Sequence, residues 1–179
     1  MRTIAAATIL SIAVSSLAPA QSQRRQSKQD APPPTVSVDK RDRVVGAPGT
    51  AFSGKAWWQA AATCGGIYFK LGTVYSDAAI RAKVIKPDPA AYASLTKEAS
   101  GASKTATAFF DAAERFLTAD RKVARDEAVM TYDAVASANG DRVRTIDAAV
   151  QAAKSCPELY KTCRGAFPRV CDDTTALTN

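Results

Sequence analysis

The segment KAWWQAAATCGGIYFKLG, residues 55–72, carries the features on which the predicted fold depends. Its apolar residues alternate at spacings of four and three, which places them on one continuous helix face. They are Trp57, Ala61, Cys64, Tyr68, Leu71 and, just beyond the segment, Tyr75. A second stripe beside it contains Trp58, Ala62, Gly65 and Phe69. A helix that is apolar over so much of its girth packs on more than one side. We therefore predict a central helix, with Ser53 as its N-cap.

Two adjacent glycines, Gly65 and Gly66, lie in the middle of this helix. Each costs about 1 kcal/mol of helix propensity relative to alanine. The pair is expected to let another helix approach closely. The alternative, which the sequence leaves open, is a kink or break at the pair.

Helical patterns continue towards the C-terminus. Ser76 or Asp77 is predicted to cap a short second helix, in which Ile80 and Val84 lie one turn apart and which Pro87 ends. Asp88 then caps a long helix with proline at its first position. The apolar stripe of this helix comprises Tyr92, Leu95, Ala99, Ala102, Ala106, Phe109, Ala113 and Phe116. The same register would bury Asp120, so a bend or break is expected near that residue.

Two more helices and a short terminal one complete the prediction. The first extends to about Ala138, with Val123, Met130 and Val135 as core residues. The second follows the stop at residues 139–141 and buries Val143, Ile146, Val150 and Ala153. The short helix opens at Cys156 and Pro157. Because no strand pattern occurs, the predicted fold is all-α: a small antiparallel bundle of about five helices held by disulfides, over residues 53–172.

The two ends of the chain have a different character. Residues 1–20 have a basic start, an apolar run and a small-x-small site, so we predict a signal peptide cleaved after Ala20. Residues 21–52 are rich in proline, glutamine and basic residues, which predicts a disordered linker. Weak alternation of Val36, Val38, Val44 and Val45 favours the alternative of an arm docked on the domain. Residues 173–179 are predicted to be a disordered tail.

The four cysteines, Cys64, Cys156, Cys163 and Cys171, all follow the predicted cleavage site. In an exported chain an even number of cysteines predicts disulfides, here two. A continuous helix separates Cys156 and Cys163 by about 10 Å, too far to bond each other. The favoured pairing is Cys64–Cys156 with Cys163–Cys171. The pairing Cys64–Cys163 with Cys156–Cys171 is nearly as compatible with the spacings.

Composition excludes several chemistries. The 179-residue chain contains no histidine, which removes haem attachment, imidazole zinc sites and His-assisted triads. Without its first 20 residues the chain has 23 basic and 17 acidic residues, a net charge of +6. The basic residues form no stripe, so no nucleic-acid partner is expected. No metal or cofactor is expected, and no segment beyond the signal is apolar enough to span a membrane.

Two sets of residues are candidates for catalysis. Ser94 and Lys97 match Ser-x-x-Lys, and Asn139 follows a serine as in penicillin-binding enzymes, but the Lys-Thr-Gly strand of those enzymes is missing. The carboxylates that could face one another across a bundle are Glu98, Asp111, Glu114, Asp126, Glu127 and Asp133. They are expected to form ordinary surface pairs, Asp111 with Arg115, and Arg121 and Arg125 near Asp126.

The expected function is therefore non-catalytic. Trp57 and Trp58 point about 100° apart on a helix, so either both pack in the core or one of them lies at the edge of the domain as a candidate anchor for a partner. We predict a periplasmic or secreted bacterial protein that acts as a binding or structural module of the cell envelope. Its expected partner is another envelope protein or polymer. The alternative is a hydrolase or lyase that uses carboxylates or the pair Ser94 and Lys97.

Overall fold

The computed structural model describes residues 37–46 and 51–171. The predicted signal peptide, the linker up to residue 36 and the predicted tail at 173–179 lie outside this part. Within these residues the chain forms six helices: α1 (Trp57–Val84), α2 (Pro89–Asp120), α3 (Arg125–Gly140), α4 (Ile146–Ala153), α5 (Cys156–Ala166) and the single turn α6 (Pro168–Cys171). The described residues form no strand, and only Val44 and Ala56 make an isolated bridge. The predicted all-α fold is confirmed.

Helix α1 is longer than the sequence pattern indicated. It continues through Gly65 and Gly66, so the glycine pair does not break it. The predicted stop before Ser76 is also wrong, since α1 ends only at Val84. No proline occurs between residues 57 and 86, and the serine and aspartate that can cap a helix can equally occupy an exposed interior position.

The start of α1 also differs from the prediction. The N-cap is Ala56, in an extended conformation, rather than Ser53. The backbone before Trp57 is used for other bonds: the Val45 N–H donates to the Lys55 carbonyl at 2.9 Å. The backbone hydrogen bond between Val45 and Lys55 thus takes the place of the additional helical turn that an N-cap at Ser53 would have given.

Helix α2 follows the predicted pattern closely. The Asp88 side chain accepts a hydrogen bond from the Ala91 N–H at 2.9 Å and caps the helix. The helix ends at Asp120, as expected from the apolar register. Lys122, with a φ of 60°, then turns the chain towards α3.

Helices α1 and α2 pack as an antiparallel hairpin. The Tyr68 and Phe109 rings stack at 5.9 Å, and Gly72 faces Ser103. The α2 stripe is buried from Ala99 to Phe116. Two groups of buried residues line the bundle. The larger includes Trp57, Trp58, Cys64, Phe109, Phe116, Leu117, Cys156 and Tyr160. The smaller comprises Ile67, Leu71, Ala102, Val143, Ala149 and Ala153.

The disulfides are Cys64–Cys156 and Cys163–Cys171, with Cα–Cα distances of 5.7 and 5.9 Å. This is the pairing that the spacings favoured. The first bond joins the N-terminal third of α1 to the start of α5, and the second joins α5 to α6.

Some predicted core residues are exposed. Met130 on α3 is 68% exposed, and Val150 on α4 is 42% exposed. Phe69, from the second stripe of α1, is 61% exposed. Helices α3 and α4 lie on the outside of the α1–α2 hairpin, so each is covered on one face only.

Candidate functional site

Residues 37–46, which we call the N-terminal arm, pack on the start of α1 and the end of α2. Val45 is buried, and the Trp57 N–H donates to the Arg43 carbonyl at 2.9 Å. The arm therefore follows the docked alternative rather than the free linker. Of the valines whose alternation suggested this, the structure describes three: Val38 and Val44 are exposed, and Val45 is buried.

Asp42 is the buried centre of the arm. Its carboxylate accepts hydrogen bonds from Arg121 Nε at 2.8 Å and Arg121 Nη2 at 2.6 Å. It also accepts from the Trp58 indole N–H at 3.2 Å and the Asp39 N–H at 2.9 Å. Burial alone raises the pKa of Asp42, but the hydrogen bonds from Arg121, Asp39 and Trp58 outweigh it, so the pKa lies below its usual value. The hydrogen bonds of this carboxylate thus hold the arm against the start of α1 and the end of α2.

Arg43 makes the second attachment of the arm. Its guanidinium pairs with Asp120 at 2.7 Å. It also lies over the Phe116 ring at 4.8 Å and the Phe167 ring at 4.7 Å. Such cation–π contacts are worth about 0.5–2 kcal/mol each, depending on desolvation. Cation, carboxylate and rings together join the arm to α2 and the α5–α6 turn.

Neither tryptophan is available to a partner on this structure. Trp57 is 5% exposed and Trp58 is 1% exposed. The Trp57 ring stacks on Phe116 at 5.9 Å and meets the edge of Phe167 at 5.5 Å. Both tryptophans therefore pack in the core, which is the first of the two arrangements considered from the sequence. The physical reason is that the arm and Arg121 cover the side of α1 that a free linker would leave open.

The Ser-Lys candidates do not form a site with Asn139. Ser94 and Lys97 are exposed near the start of α2. The Asn139 side chain donates to the Val135 carbonyl at 2.7 Å, beside the contact of Gly140 with Gly66. In the antiparallel register of α1 and α2, Ser94 lies roughly 20 Å along the bundle from that contact.

Among the candidate carboxylates, Glu114 forms an ion pair. Arg121 pairs with Asp42, and Arg125 pairs with Glu114 at 2.9 Å, so the predicted pairing of these arginines near Asp126 is wrong. Arg115 donates to the Val170 carbonyl at 3.1 Å. Within residues 37–46 and 51–171, no three Cys, Asp or Glu side chains cluster closely enough to hold a metal ion.

A groove of about 280 Å³ lies between α1 and α3. Gly66 and Gly140 form its floor, where the two backbones touch. Phe69 and Phe110 supply its apolar wall, and the charged groups of the lining are Lys70, Asp133 and Asp141. The groove thus offers an apolar slot with a charged rim.

The other exposed feature is the end of the α1–α2 hairpin, residues 80–90, which we call the hairpin tip. Every residue of the tip is exposed except Ala82, which is half-buried. Ile80, Val84 and Ile85 are 60%, 69% and 76% exposed. The smaller core group extends along the hairpin only as far as Tyr75, so no other helix covers these side chains.

The exposure of the hairpin tip was not predicted from the sequence pattern. The spacing predicts that Ile80 and Val84 lie one turn apart in a separate second helix, whereas the structure places them at the exposed end of α1. The exposure of these side chains could have been predicted from the neighbouring cations Arg81, Lys83 and Lys86, because a cluster of charges indicates a solvent-exposed segment.

Among the described residues, no helix combines the length and the hydropathy that crossing a bilayer requires. Comparisons with protein-family models, curated proteins and solved structures found no match to this chain.

Proposed function

We propose that this chain is a non-catalytic exported protein that serves as a binding module of the cell envelope, and that it binds through the hairpin tip. The observation that carries the proposal is the exposure of Ile80, Val84 and Ile85 in one short segment. Large apolar side chains that cluster on a surface and are rimmed by charge are typical of interaction sites.

The disulfides support the exported location. Two bonds, Cys64–Cys156 and Cys163–Cys171, use all four cysteines. Disulfides persist in oxidising compartments and are rare in reducing ones. A periplasmic or secreted location after cleavage at Ala20 fits this chemistry.

The tip is dispensable for the core, which supports a binding role. The two buried groups involve α1 only up to Ile67, Leu71 and their partly buried partner Tyr75. Beyond them the hairpin continues for several turns that bury few large side chains. Selection for stability alone does not account for three exposed aliphatic residues there.

The test is capture of an envelope component by residues 21–179. An Ile80→Ser, Val84→Ser double variant is expected to lose the captured component. Met130→Ser is the matched control, because Met130 is also exposed and apolar but lies on α3. Equal capture by the wild type and the tip variant would contradict the proposal.

The absence of catalysis is part of the proposal and has its own test. The wild type is assayed against ester, amide and glycoside substrates, beside Ser94→Ala and Lys97→Ala variants. We expect no turnover above that of buffer. Turnover that either variant abolishes would favour the hydrolase alternative.

A further inference from the structure

We infer that the occupant of the hairpin tip is an anionic lipid surface. This inference rests on the proposed binding role of the tip and specifies its partner. A membrane surface and a protein partner differ in what they require, and the arrangement of side chains at the tip matches the membrane surface better.

The first argument is the arrangement of apolar and basic residues around α1. Ile80 and Val84 are one turn apart, about 40° from each other around the helix axis. Lys83 lies about 60° to one side of this pair and Arg81 about 60° to the other. An apolar strip flanked by cations on both sides is typical of helices that rest in the headgroup region of a bilayer.

The second argument is position. Ile85, the C-cap of α1, is 76% exposed, and the turn that follows reverses the chain at Pro87. The apolar residues are therefore at the extreme end of a two-helix hairpin. An end of this kind inserts a few side chains into a flat, soft surface without a complementary groove.

The third argument is charge. Residues 80–90 contain three cations, Arg81, Lys83 and Lys86, and one acid, Asp88. The Asp88 carboxylate accepts the N–H of Ala91 as a helix cap, so it is directed towards α2. Each cation near an anionic leaflet strengthens binding about fivefold. The long side chains of Arg81 and Lys86 can reach the headgroups while the aliphatic residues lie deeper. The Lys83 ammonium lies over the Tyr92 ring of α2 at 5.3 Å.

The experiment is sedimentation of residues 21–179 with vesicles of phosphatidylcholine, with and without phosphatidylglycerol. We expect binding to the anionic vesicles only, weakened by salt. The Ile80→Ser, Val84→Ser variant should bind roughly tenfold more weakly, because two aliphatic side chains no longer enter the lipid. Met130→Ser should bind as the wild type does.

A charge variant tests the electrostatic part. Arg81→Ala with Lys86→Ala is expected to lower partitioning by roughly twentyfold or more, since two cations are removed. Lys104→Ala with Lys161→Ala is the matched control, because both lysines are exposed away from the tip. Equal effects of the two pairs would overturn the inference, as they would show attraction by net charge alone.

A spectroscopic probe reports the depth of insertion. Trp57 and Trp58 are buried and give a constant background. In a Val84→Trp variant, the added emission should shift to the blue with anionic vesicles. No shift, while the protein still sediments, would place the contact elsewhere, for example on the basic residues Arg24 and Arg25, and would overturn the inference.

The outcomes separate the two proposals. Tip-dependent capture of an envelope protein without vesicle binding overturns the lipid inference and leaves the binding module. Loss of both tip-dependent capture and vesicle binding overturns both. Tip-dependent binding to anionic vesicles supports both.

Discussion

Arg121 donates two hydrogen bonds to the Asp42 carboxylate, from Nε to Oδ1 at 2.8 Å and from Nη2 to Oδ2 at 2.6 Å. The two residues are 79 positions apart in the sequence. The Asp42 side chain is fully buried and that of Arg121 is 15% exposed. The guanidinium also lies over the Trp58 ring at 5.0 Å. A bidentate pair in this setting is strong and geometrically specific. It connects the arm, α1 and the end of α2 at one point.

Stability is predicted to fall in acid because of this pair. The pKa of Asp42 is lower in the folded protein than its usual value, since the hydrogen bonds from Arg121, Asp39 and Trp58 outweigh the effect of burial. A lowered folded pKa contributes stability above the unfolded pKa, near about 4, and loses it as the pH falls through the folded pKa. Urea unfolding at neutral pH and below pH 4 measures the change. An Asp42→Asn variant should show a shallower decline; an unchanged decline would assign the acid sensitivity to other carboxylates.

Removing one partner of the buried pair should be costly. Asp42→Ala is expected to lower the free energy of unfolding by about 3 kcal/mol, since it leaves the Arg121 cation and the Trp58 N–H without their acceptor. The exposed pair of Arg41 and Asp39 is the matched control, and Asp39→Ala should have a much smaller effect. Chemical denaturation of the two variants gives the comparison. Similar losses for both would show that the arm contributes little through Asp42.

Gly66 is predicted to be irreplaceable. A Cβ added there would collide with the backbone carbonyl of Ala136 on α3, which is not a flexible side chain. Gly66→Ala is expected to destabilise the protein by about 2 kcal/mol or more through overpacking. The control is Gly101→Ala in α2, where nothing lies within 4 Å of the added carbon. That substitution should stabilise by about 0.5–1 kcal/mol, so opposite signs of the shift in melting temperature are expected. A stabilising Gly66→Ala would contradict the close contact of α1 and α3.

The two disulfides are predicted to contribute unequally. Their partners are separated by 92 and 8 residues. In the chain-entropy model the longer loop stabilises by about 4.6 kcal/mol and the shorter by about 2.5 kcal/mol. Cys64→Ser with Cys156→Ser should therefore lower the unfolding free energy about 2 kcal/mol more than Cys163→Ser with Cys171→Ser. Thiol labelling of native protein, with and without reduction, checks that all four cysteines are bonded, and labelling without reduction would contradict this.

The helices were largely predictable because their cause is local. The stripe on α2 from Ala99 to Phe116 is buried as its spacing indicated, and Asp88 caps the helix as its sequence context indicated. The stop near Asp120 followed from a charged residue entering the apolar register. A helix separates Cys156 and Cys163 by about 10 Å, which excluded a bond between these two cysteines and left two possible pairings.

The candidate site was poorly predictable because periodicity shows that one face is apolar and does not show what covers it. Ile80 and Val84 have the spacing of core residues, yet no helix reaches that end of the hairpin. The sequence left open whether either tryptophan faces outward, and the structure buries both, with Trp58 covered by Asp42 and Arg121. Both outcomes depend on contacts between residues far apart in the chain.

Local pattern thus accounts for the fold class, the long helix α2 and the need for close contact at Gly66. Tertiary packing alone settled the docking of the arm, the burial of both tryptophans and the exposure of the hairpin tip. The physical reason is that helix formation depends on neighbours three and four residues apart. Burial of a helix face depends on which distant segment happens to lie over it, as the Asp42–Arg121 pair shows across 79 positions.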